Sequence, residues 1–372
     1  MPGRPDLASL LAAKEMVLVV GSGGVGKTTT AAAMAAFAAT ELGGRVLVLT
    51  VDPARRLADA LGVGHLGNEA TRVPDEVFDE IGVEPQGELW AAMLDTKAGW
   101  DELISRHAPD ARLRDSVLAN PLYQNITSRF VHSHDYLAME RLHELHSSGE
   151  WDLIVVDTPP SRNALAFLDA PGRMKEFFGS KLLKWLTVPY RSRLFTMASK
   201  PFYQVADRVL GSRFLQDIAE FFILFQAMER GFVDHAREVE RLLGDPRTTF
   251  VVVSTLEAAP SHEATYLSRA LVRRDFHLGA IVANRVLPAS FTAKASATSA
   301  RKIAKLADGE LADVVAAAIA ADRPTVSSTL SIVGTAFHDI ALTATREAER
   351  SAELAALAPL LVAAPMLDRD VN

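Results

Sequence analysis

The chain has 372 residues, of which 49% are hydrophobic and 23% are charged, and it contains no cysteine. The composition is that of a globular protein, and the length predicts roughly two to three domain units or one large α/β domain with insertions. The absence of cysteine excludes disulfides, thiolate zinc sites, iron–sulfur clusters and cysteine nucleophiles. The net charge of −7 argues against nucleic-acid binding, because neutralising phosphates requires an excess of Lys and Arg.

The N-terminal segment does not have the pattern of a signal peptide, because Lys14 and Glu15 interrupt its apolar residues. No uncharged apolar run reaches the ~20 residues that a membrane-spanning helix needs. We therefore expect a soluble, cytoplasmic protein that is able to contact a membrane peripherally.

Short apolar runs separated by helical patterns predict a buried parallel sheet. Strands that are buried on both faces read as continuous Val, Ile and Leu, and strand–helix–strand order implies a doubly wound arrangement. The predicted strands are 16–20, 46–51, 89–94, 153–156, 250–254 and 278–283. Helices are predicted over 27–42, 261–274 and 336–357, and residues 360–364 are a candidate last strand.

Two long helical regions interrupt this alternation, and we interpret them as insertions that form a helical subdomain. The predicted organisation is a core over 1–96, an insertion over 97–150, a return to the core over 151–171, a second insertion over 172–246, and the rest of the core over 247–372.

A glycine-rich loop follows the first strand and opens the first long helix. It matches G-x-x-x-x-G-K-[ST] in full, in the strand-to-helix context that supports a phosphate-binding P-loop. Backbone N–H groups of such a loop surround phosphate oxygens, the lysine reaches the β- and γ-phosphates, and the threonine binds Mg²⁺. The residues concerned are Gly21, Ser22, Gly23, Gly24, Val25, Gly26, Lys27, Thr28 and Thr29. The predicted fold is a P-loop NTPase of α/β class, with a mainly parallel sheet, helices on both faces and an inserted helical subdomain.

Two acids end predicted strands, and each has two possible roles. Asp157 follows Leu153–Val156 and fits a Walker B carboxylate that holds Mg²⁺ through water, although many strands end in Asp for capping alone. Asp52 either orients a water that attacks the γ-phosphate or acts as N-cap of a helix with Pro53 at its first position.

These motifs resemble the ArsA family, which includes arsenical pump ATPases and the GET-pathway ATPase for tail-anchored membrane proteins. The details resemble the single-length ArsA-like ATPases of actinobacteria, which often occur as dissimilar pairs. The resemblance implies that 51–60 is switch I, with Asp52 as the catalytic, water-orienting residue, and that 157–165 is switch II. It also implies that Glu257, Asn284 and the neighbouring Arg285 contact the nucleotide, with Asn284 at the adenine.

The chain departs from the family at Ser22, where the P-loop usually has a signature lysine that reaches the phosphates of the partner subunit. Either a related partner supplies this lysine, or Arg55, Arg56 or Arg162 substitutes for it, or hydrolysis is slow. We favour the partner. The missing cysteines exclude the zinc clamp of the eukaryotic GET dimer and argue against arsenite activation, so we expect ATP and Mg²⁺ but neither zinc nor an iron–sulfur cluster.

The second insertion concentrates aromatic and basic side chains. Nine of the 17 Phe lie in 174–233, and they form either a groove for a hydrophobic client helix or the core of the subdomain. Residues 173–213 contain nine Lys or Arg and two acids, which suits either an anionic lipid surface or a solvated helix face. A metal site is a minor alternative to ordinary solvated histidines in the first insertion. The residues concerned are His132, His134, His143 and His146.

The function predicted from these features is a Mg²⁺-ATP-dependent dimeric switch that targets, chaperones or remodels a hydrophobic or membrane-associated client. A heterodimer with a lysine-bearing paralogue is favoured over a homodimer. The alternatives are a nucleotide-binding regulatory subunit with little turnover and, ranked lower, a positioning ATPase like ParA or MinD or a P-loop ligase such as dethiobiotin synthetase.

Overall fold

The computed structural model describes residues 6–51, 56–64, 66–80, 82–94, 96–120, 123–124, 133–159, 161–179, 221–224 and 226–367. Its centre is an eight-stranded sheet in the order β3-β4-β2-β5-β1-β6-β7-β8. The strands are Met16–Gly21, Gly44–Thr50, Thr71–Arg72, Gly87–Met93, Leu153–Asp157, Thr248–Thr255, Leu278–Val286 and Leu360–Pro365, numbered β1 to β8. All neighbours pair in parallel except β3, which lies antiparallel at one edge.

Helices connect the strands and cover both faces of the sheet. The α-helices α1 to α14 are Leu7–Ala12, Lys27–Phe37, Arg56–Ala60, Asp75–Asp79, Thr96–His107, Ala111–Ala119, Ser133–Ser147, Ser161–Leu168, Ala170–Gly179, Glu229–Leu243, Ala258–Arg273, Lys294–Leu306, Glu310–Ile319 and Arg323–Ala355. A π-helical turn, Ala38–Leu42, extends α2, and a 3₁₀ turn, Ala289–Thr292, precedes α12.

The central strands are apolar on both faces, so each face of the sheet nucleates a hydrophobic core. Side chains such as Leu18, Ile154 and Phe250 belong to one core, and Val17 and Val155 belong to the other. This division follows from the alternation of side chains along a strand, which sends neighbouring residues to opposite faces. Burial of both faces explains why these strands read as unbroken apolar runs.

A third hydrophobic cluster lies among the helices of the two insertions. It contains Ile104 of α5, Val117 of α6, Tyr136 of α7, Ala170 of α9 and Phe232 of α10, all buried. The cluster joins segments that are far apart in sequence, so the described parts of the insertions pack against one another.

The six strands predicted from apolar runs are confirmed, as is the last strand near residue 360. The sequence analysis missed β3, a two-residue exposed strand that has no apolar run to reveal it. The predicted start of the final helix at Ala336 is wrong. The helix begins at Arg323, where the Asp322 carboxylate accepts a hydrogen bond from Thr325 N at 2.9 Å and caps the first turn.

The helix α14 combines unusual length with a close approach to α12. A methyl group on Gly334 would lie 2.7 Å from the backbone nitrogen of Ala304, so only glycine permits this spacing. Across the described part of the chain, no helix is both long enough and apolar enough to cross a membrane.

Gly87, at the start of β4, provides a test of the sheet packing. A Cβ there would lie 2.2 Å from the carbonyl oxygen of Gly44, a backbone atom that cannot turn aside. We expect Gly87→Ala to destabilise the protein by about 1–3 kcal/mol, the range for overpacked sites, in chemical denaturation. Gly64→Ala is the matched control, because that position has open space, and its effect should stay within about 0.5 kcal/mol. Equal stabilities of the two variants would contradict the packing described here.

Candidate functional site

The glycine loop between β1 and α2 lies at the carboxyl edge of the sheet, and its glycines are required by its shape. Gly24 and Gly26 have φ values of 80° and 94°, which L side chains rarely adopt. A Cβ on Gly21 would lie 2.2 Å from the Val253 carbonyl oxygen, so β1 approaches β6 too closely for any side chain. The buried hydroxyl oxygen of Ser22 makes no hydrogen bond to any described residue.

Lys27 and Thr28 begin α2 with their side chains directed to the loop and to the neighbouring strand. The Lys27 ammonium is buried and donates to the Ser22 carbonyl oxygen at 3.0 Å. The Thr28 hydroxyl donates to Asp157 Oδ2 at 2.7 Å. Gly23 is exposed and Thr29 is half-buried. The structure therefore brings the lysine and the hydroxyl that sequence analysis selected to the mouth of one loop.

Asp157, the last residue of β5, is almost wholly buried. It accepts a second hydrogen bond on Oδ2 from the Thr50 hydroxyl at 3.1 Å. The two hydroxyls stabilise a charge that would otherwise be costly to bury. Asp157 is therefore more than a strand-end cap, because its carboxylate links β5 to β2 and to the start of α2.

Sequence analysis missed Thr50. It ends β2 directly opposite Asp157 in the parallel register and is fully buried. The signal available in the sequence was a hydroxyl residue closing an apolar strand two positions before Asp52. Because the carboxyl ends of neighbouring parallel strands meet at one edge, this polar residue is brought to the site by topology.

The residues assigned to the adenine side lie at the carboxyl ends of β6 and β7, next to the glycine loop. Asn284 pairs in register with Thr255, and its Nδ2 donates to the Val25 carbonyl oxygen at 2.8 Å. Its Oδ1 accepts from Arg285 N at 2.9 Å, and Arg285 has a left-handed φ of 58°. Glu257 is exposed at the N-terminus of α11. Asn284 thus contacts the back of the glycine loop, and one of its two amide hydrogens is already used.

Several candidates lie outside the described residues. These are Asp52 and Arg55 of switch I, His132, and Phe195, Phe202, Phe214 and Phe225 of the second insertion, with most of its basic stretch. The side chains of Arg162, His134, Phe177 and Phe178 are likewise not described.

The described aromatic residues of the second insertion belong to a core. Phe221 and Phe232 are buried in the third cluster with Met228, and Phe222 packs against it. For these residues the burial supports the subdomain-core interpretation. Lys175 is paired with Glu240, which favours the solvated-face interpretation at that position.

The four histidines considered together in the sequence do not form one cluster among the described side chains. His146 lies 3.0 Å from Glu15, whereas His143 faces Glu238 at 3.8 Å. Although the two are three residues apart on α7, they contact different elements.

The oxygen ligands at the carboxyl edge of the sheet suit a magnesium ion. Thr28 and Asp157 offer a hydroxyl and a carboxylate, the hard oxygen ligands that Mg²⁺ takes from proteins, and the hydrogen bond between them holds both oxygens at one place. The glycine loop adds backbone N–H groups for phosphate oxygens, and its left-handed Gly24 and Gly26 permit the tight curvature that such a loop needs. The residues present therefore suit a metal-bound phosphate chain.

Comparisons with known proteins agree with this geometry. The sequence model of the ArsA family, described as Anion-transporting ATPase, matches residues 14–308. The ATPase GET3 of Malassezia globosa is 26% identical over 285 residues, which are 76% of each chain. The ATPase get3 of Aspergillus niger is 27% identical over 291 residues, again 76% of each chain. An uncharacterized protein of Streptomyces coelicolor is 30% identical over 273 residues, 73% of this chain and 62% of that relative.

The matched span contains the glycine loop, Asp157 and both strand ends on the adenine side. The eight-stranded, mostly parallel sheet is the architecture expected for this family from the P-loop context. The chain therefore belongs to the ArsA family of ATPases, and its activity is that of an ATPase.

Proposed function

We propose that the protein is a Mg²⁺-ATP-dependent dimeric switch of the ArsA/GET type. The observation that carries the proposal is the convergence of Thr28, Thr50 and Lys27 with the buried Asp157 beside the glycine loop. ATP hydrolysis at this edge would alternate the protein between two conformations of its helical insertions.

Phosphate recognition rests on the loop backbone and on Lys27. The loop leads into the N-terminus of α2, whose unpaired N–H groups favour an anion. Lys27 is held by the Ser22 carbonyl oxygen at 3.0 Å, and exchange of this contact for the β- and γ-phosphate oxygens would need only a side-chain rotation. The buried Ser22 hydroxyl lies in the same loop as a further donor.

Magnesium would be held by Thr28 directly and by Asp157 through water. The bound ion supplies charge neutralisation on the phosphate oxygens. Thr50 keeps the Asp157 carboxylate in place by donating to the same oxygen as Thr28. Two hydroxyl donors on one oxygen hold the acid in one orientation.

We propose Asp52 as the residue that orients the attacking water. Its assignment rests on the family resemblance and on its position two residues beyond Thr50. Val51 N donates to the Asp157 carbonyl oxygen at 3.3 Å, so the chain leaves β2 beside the Walker B strand. The capping role remains the competing explanation for this acid.

The path from Asp157 to the helical subdomain is short in sequence. Thr158, directly after Asp157, is buried and donates to the Val19 carbonyl oxygen at 2.8 Å. The described part of α8 places Phe167 in the sheet core, and the chain reaches Ala170 in the third cluster. A displacement at the γ-phosphate would thus reach the third cluster within thirteen residues of chain.

The proposal also includes a dimer, a paralogous partner and a client. Ser22 supports a heterodimer, because a homodimer of this chain would lack the signature lysine that acts across the interface. The hydrophobic client, the cytoplasmic location and the peripheral membrane contact rest on the resemblance. The buried state of Phe221 and Phe232 removes those two side chains from any client groove.

A regulatory subunit with little turnover is the second candidate, and Ser22 is the observation that favours it. Losing a cation that acts in trans can cost ~10³–10⁵ in rate by analogy with arginine fingers. Undetectable hydrolysis in every assembly, together with tight ATP binding, would select this candidate over the switch.

Asp52→Asn tests the catalytic assignment. We expect ATP affinity to change by less than about twofold and turnover to fall by about 10²–10⁴-fold, the contribution of a positioned base. Isothermal titration and a phosphate-release assay measure the two quantities. Asp79→Asn is the matched control, because Asp79 is an exposed acid in α4, outside the proposed switch segments. Normal hydrolysis by Asp52→Asn would show that the acid is only a helix cap.

Ser22→Lys tests the missing cation. If the trans lysine limits the isolated protein, this variant should raise its turnover about tenfold or more, and Ser22→Ala should not. The measurement is the steady-state ATPase rate of the purified wild-type chain and of the two variants. Unchanged turnover would mean that a substitute cation within this chain, such as Arg55, Arg56 or Arg162, already acts at the phosphates.

Native mass spectrometry of the protein purified from its own cells with Mg²⁺-ATP tests the assembly. A 1:1 complex with a paralogue that has lysine at the position of Ser22 is the expected result, and a further bound chain would identify the client. A homodimer or a monomer would overturn the heterodimer and leave the ATPase assignment intact.

A further inference from the structure

A second cluster of chemically reactive side chains lies far from the glycine loop, inside the helical insertions. His107 ends α5, Glu140 lies in the middle of α7, and His235 lies on α10. One ligand atom from each of the three lies within 4.8 Å of the others. None of the three takes part in the nucleotide site.

We propose that His107, Glu140 and His235 bind one divalent transition-metal ion, with Zn²⁺ as the best match. Two imidazoles and one carboxylate are a ligand set that zinc uses with water in the fourth position. The expectation that zinc is absent was based on the lack of cysteine, and it does not apply to a site of nitrogen and oxygen ligands.

The distances are close to those that a tetrahedral ion needs. Glu140 Oε2 lies 3.1 Å from His235 Nδ1 and 3.9 Å from His107 Nε2. Ligand atoms at ~2.0–2.1 Å from a tetrahedral zinc ion are about 3.3 Å apart. The ligand atoms of His107 and His235 lie within 4.8 Å of each other, so side-chain adjustments would bring all three to tetrahedral spacing.

The surroundings of the His107 side chain indicate that a ligand binds here. Its side chain is only 3% exposed, and its Nε2 makes no hydrogen bond to any described residue. A buried ring nitrogen without a hydrogen bond is costly unless something binds it.

The surrounding residues hold the cluster in a fixed geometry. The Tyr136 hydroxyl donates to Glu140 Oε1, which leaves Oε2 to face the two histidines. Burial and the Glu140 charge raise the pKa of Tyr136, so it remains a donor. A methyl group on Gly231 would lie 2.9 Å from His107 Nδ1, so glycine is required for α10 to approach the ring. A hydrogen bond such as that from Tyr136 to Glu140 is typical of carboxylates that bind a metal.

The local charge also favours a cation. The Glu140 side chain is 3% exposed, and a cation at its Oε2 would offset the cost of burying a carboxylate. Arg106 acts electrostatically on both His107 and Glu140, but it is paired with Glu102 at 3.1 Å and with Glu144 at 2.9 Å. A divalent ion would supply the missing charge at the point where the ligands converge.

A neighbouring group formed by His143, His235 and Glu238 is a weaker candidate. Its ligand atoms are also within 4.8 Å of one another, but the His143 and Glu238 side chains are 20% and 40% exposed. It shares His235 with the inner cluster through the other ring nitrogen, since Nε2 lies 4.0 Å from Glu238 Oε2. Variants of Glu140 and of Glu238 therefore distinguish the two groups.

Metal binding would join three helices that come from distant parts of the chain. The helices α5 and α7 belong to the first insertion, and α10 ends the second. An ion held by all three binds the folded state and not the unfolded chain, so it would stabilise the subdomain by mass action. This stabilisation does not require ATP, and it can be measured independently of the proposed switch function.

The test uses the untagged full-length protein after chelator treatment and dialysis. We expect isothermal titration with Zn²⁺ to give one equivalent bound, a thermal midpoint that rises with Zn²⁺ concentration, and Co²⁺ substitution to give the visible absorption of tetrahedral cobalt. His107→Gln and Glu140→Gln should abolish all three signals. Tyr136→Phe should weaken Zn²⁺ binding by ~10–100-fold, as expected for an outer hydrogen bond.

Controls separate a specific site from other outcomes. His262→Gln removes an exposed histidine on α11 and should leave Zn²⁺ binding unchanged. Circular dichroism of the metal-free variants shows whether they fold. If His107→Gln does not fold, the near-isosteric Glu140→Gln still tests the site. Failure of the folded wild-type chain to bind one equivalent, or full binding by Glu140→Gln, overturns the proposal. Loss of binding in Glu238→Gln with retention in Glu140→Gln would assign the ion to the outer group and overturn it as well.

Discussion

At the carboxyl edge of the sheet, one buried carboxylate accepts hydrogen bonds from two hydroxyls on different elements. Asp157 ends β5, Thr50 ends β2, and Thr28 begins α2 after the glycine loop. Because a buried charge is costly without such partners, these hydrogen bonds keep two strands and the first helix in register with one another. The positions of the loop, of Lys27 and of the segment that leads to Asp52 all depend on this arrangement.

The same acid begins the connection between the nucleotide edge and the helical insertions. After Asp157 the chain is held by the buried Thr158, enters the sheet core at Phe167 and reaches the third cluster at Ala170. The insertions have a hydrophobic core of their own, and the cluster of His107, Glu140 and His235 lies within them. The molecule thus combines a site for phosphate chemistry with a separately packed helical part, joined by a short switch segment.

Much of the sheet was predictable because central parallel strands are buried on both faces and leave unbroken apolar runs in the sequence. The edge strand β3 was not predictable, since its two exposed residues carry no such signal. The start of α14 was missed because its first turns are rich in Ser, Thr and Val, which are weak helix formers. There the Asp322 cap and the packing of Gly334 against Ala304 decide the conformation.

The sequence alone predicted the phosphate loop and the Walker B acid, because both predictions depend on local backbone chemistry at a strand end. Glycines that permit left-handed φ values, followed by lysine and threonine at a helix start, have this meaning wherever the chain places them. Only the tertiary structure decided that Thr50 supports Asp157, and that the histidines that converge are His107 and His235 with Glu140. Those residues are 33 to 128 positions apart, and packing between distant helices, which no local pattern encodes, is what brings them together.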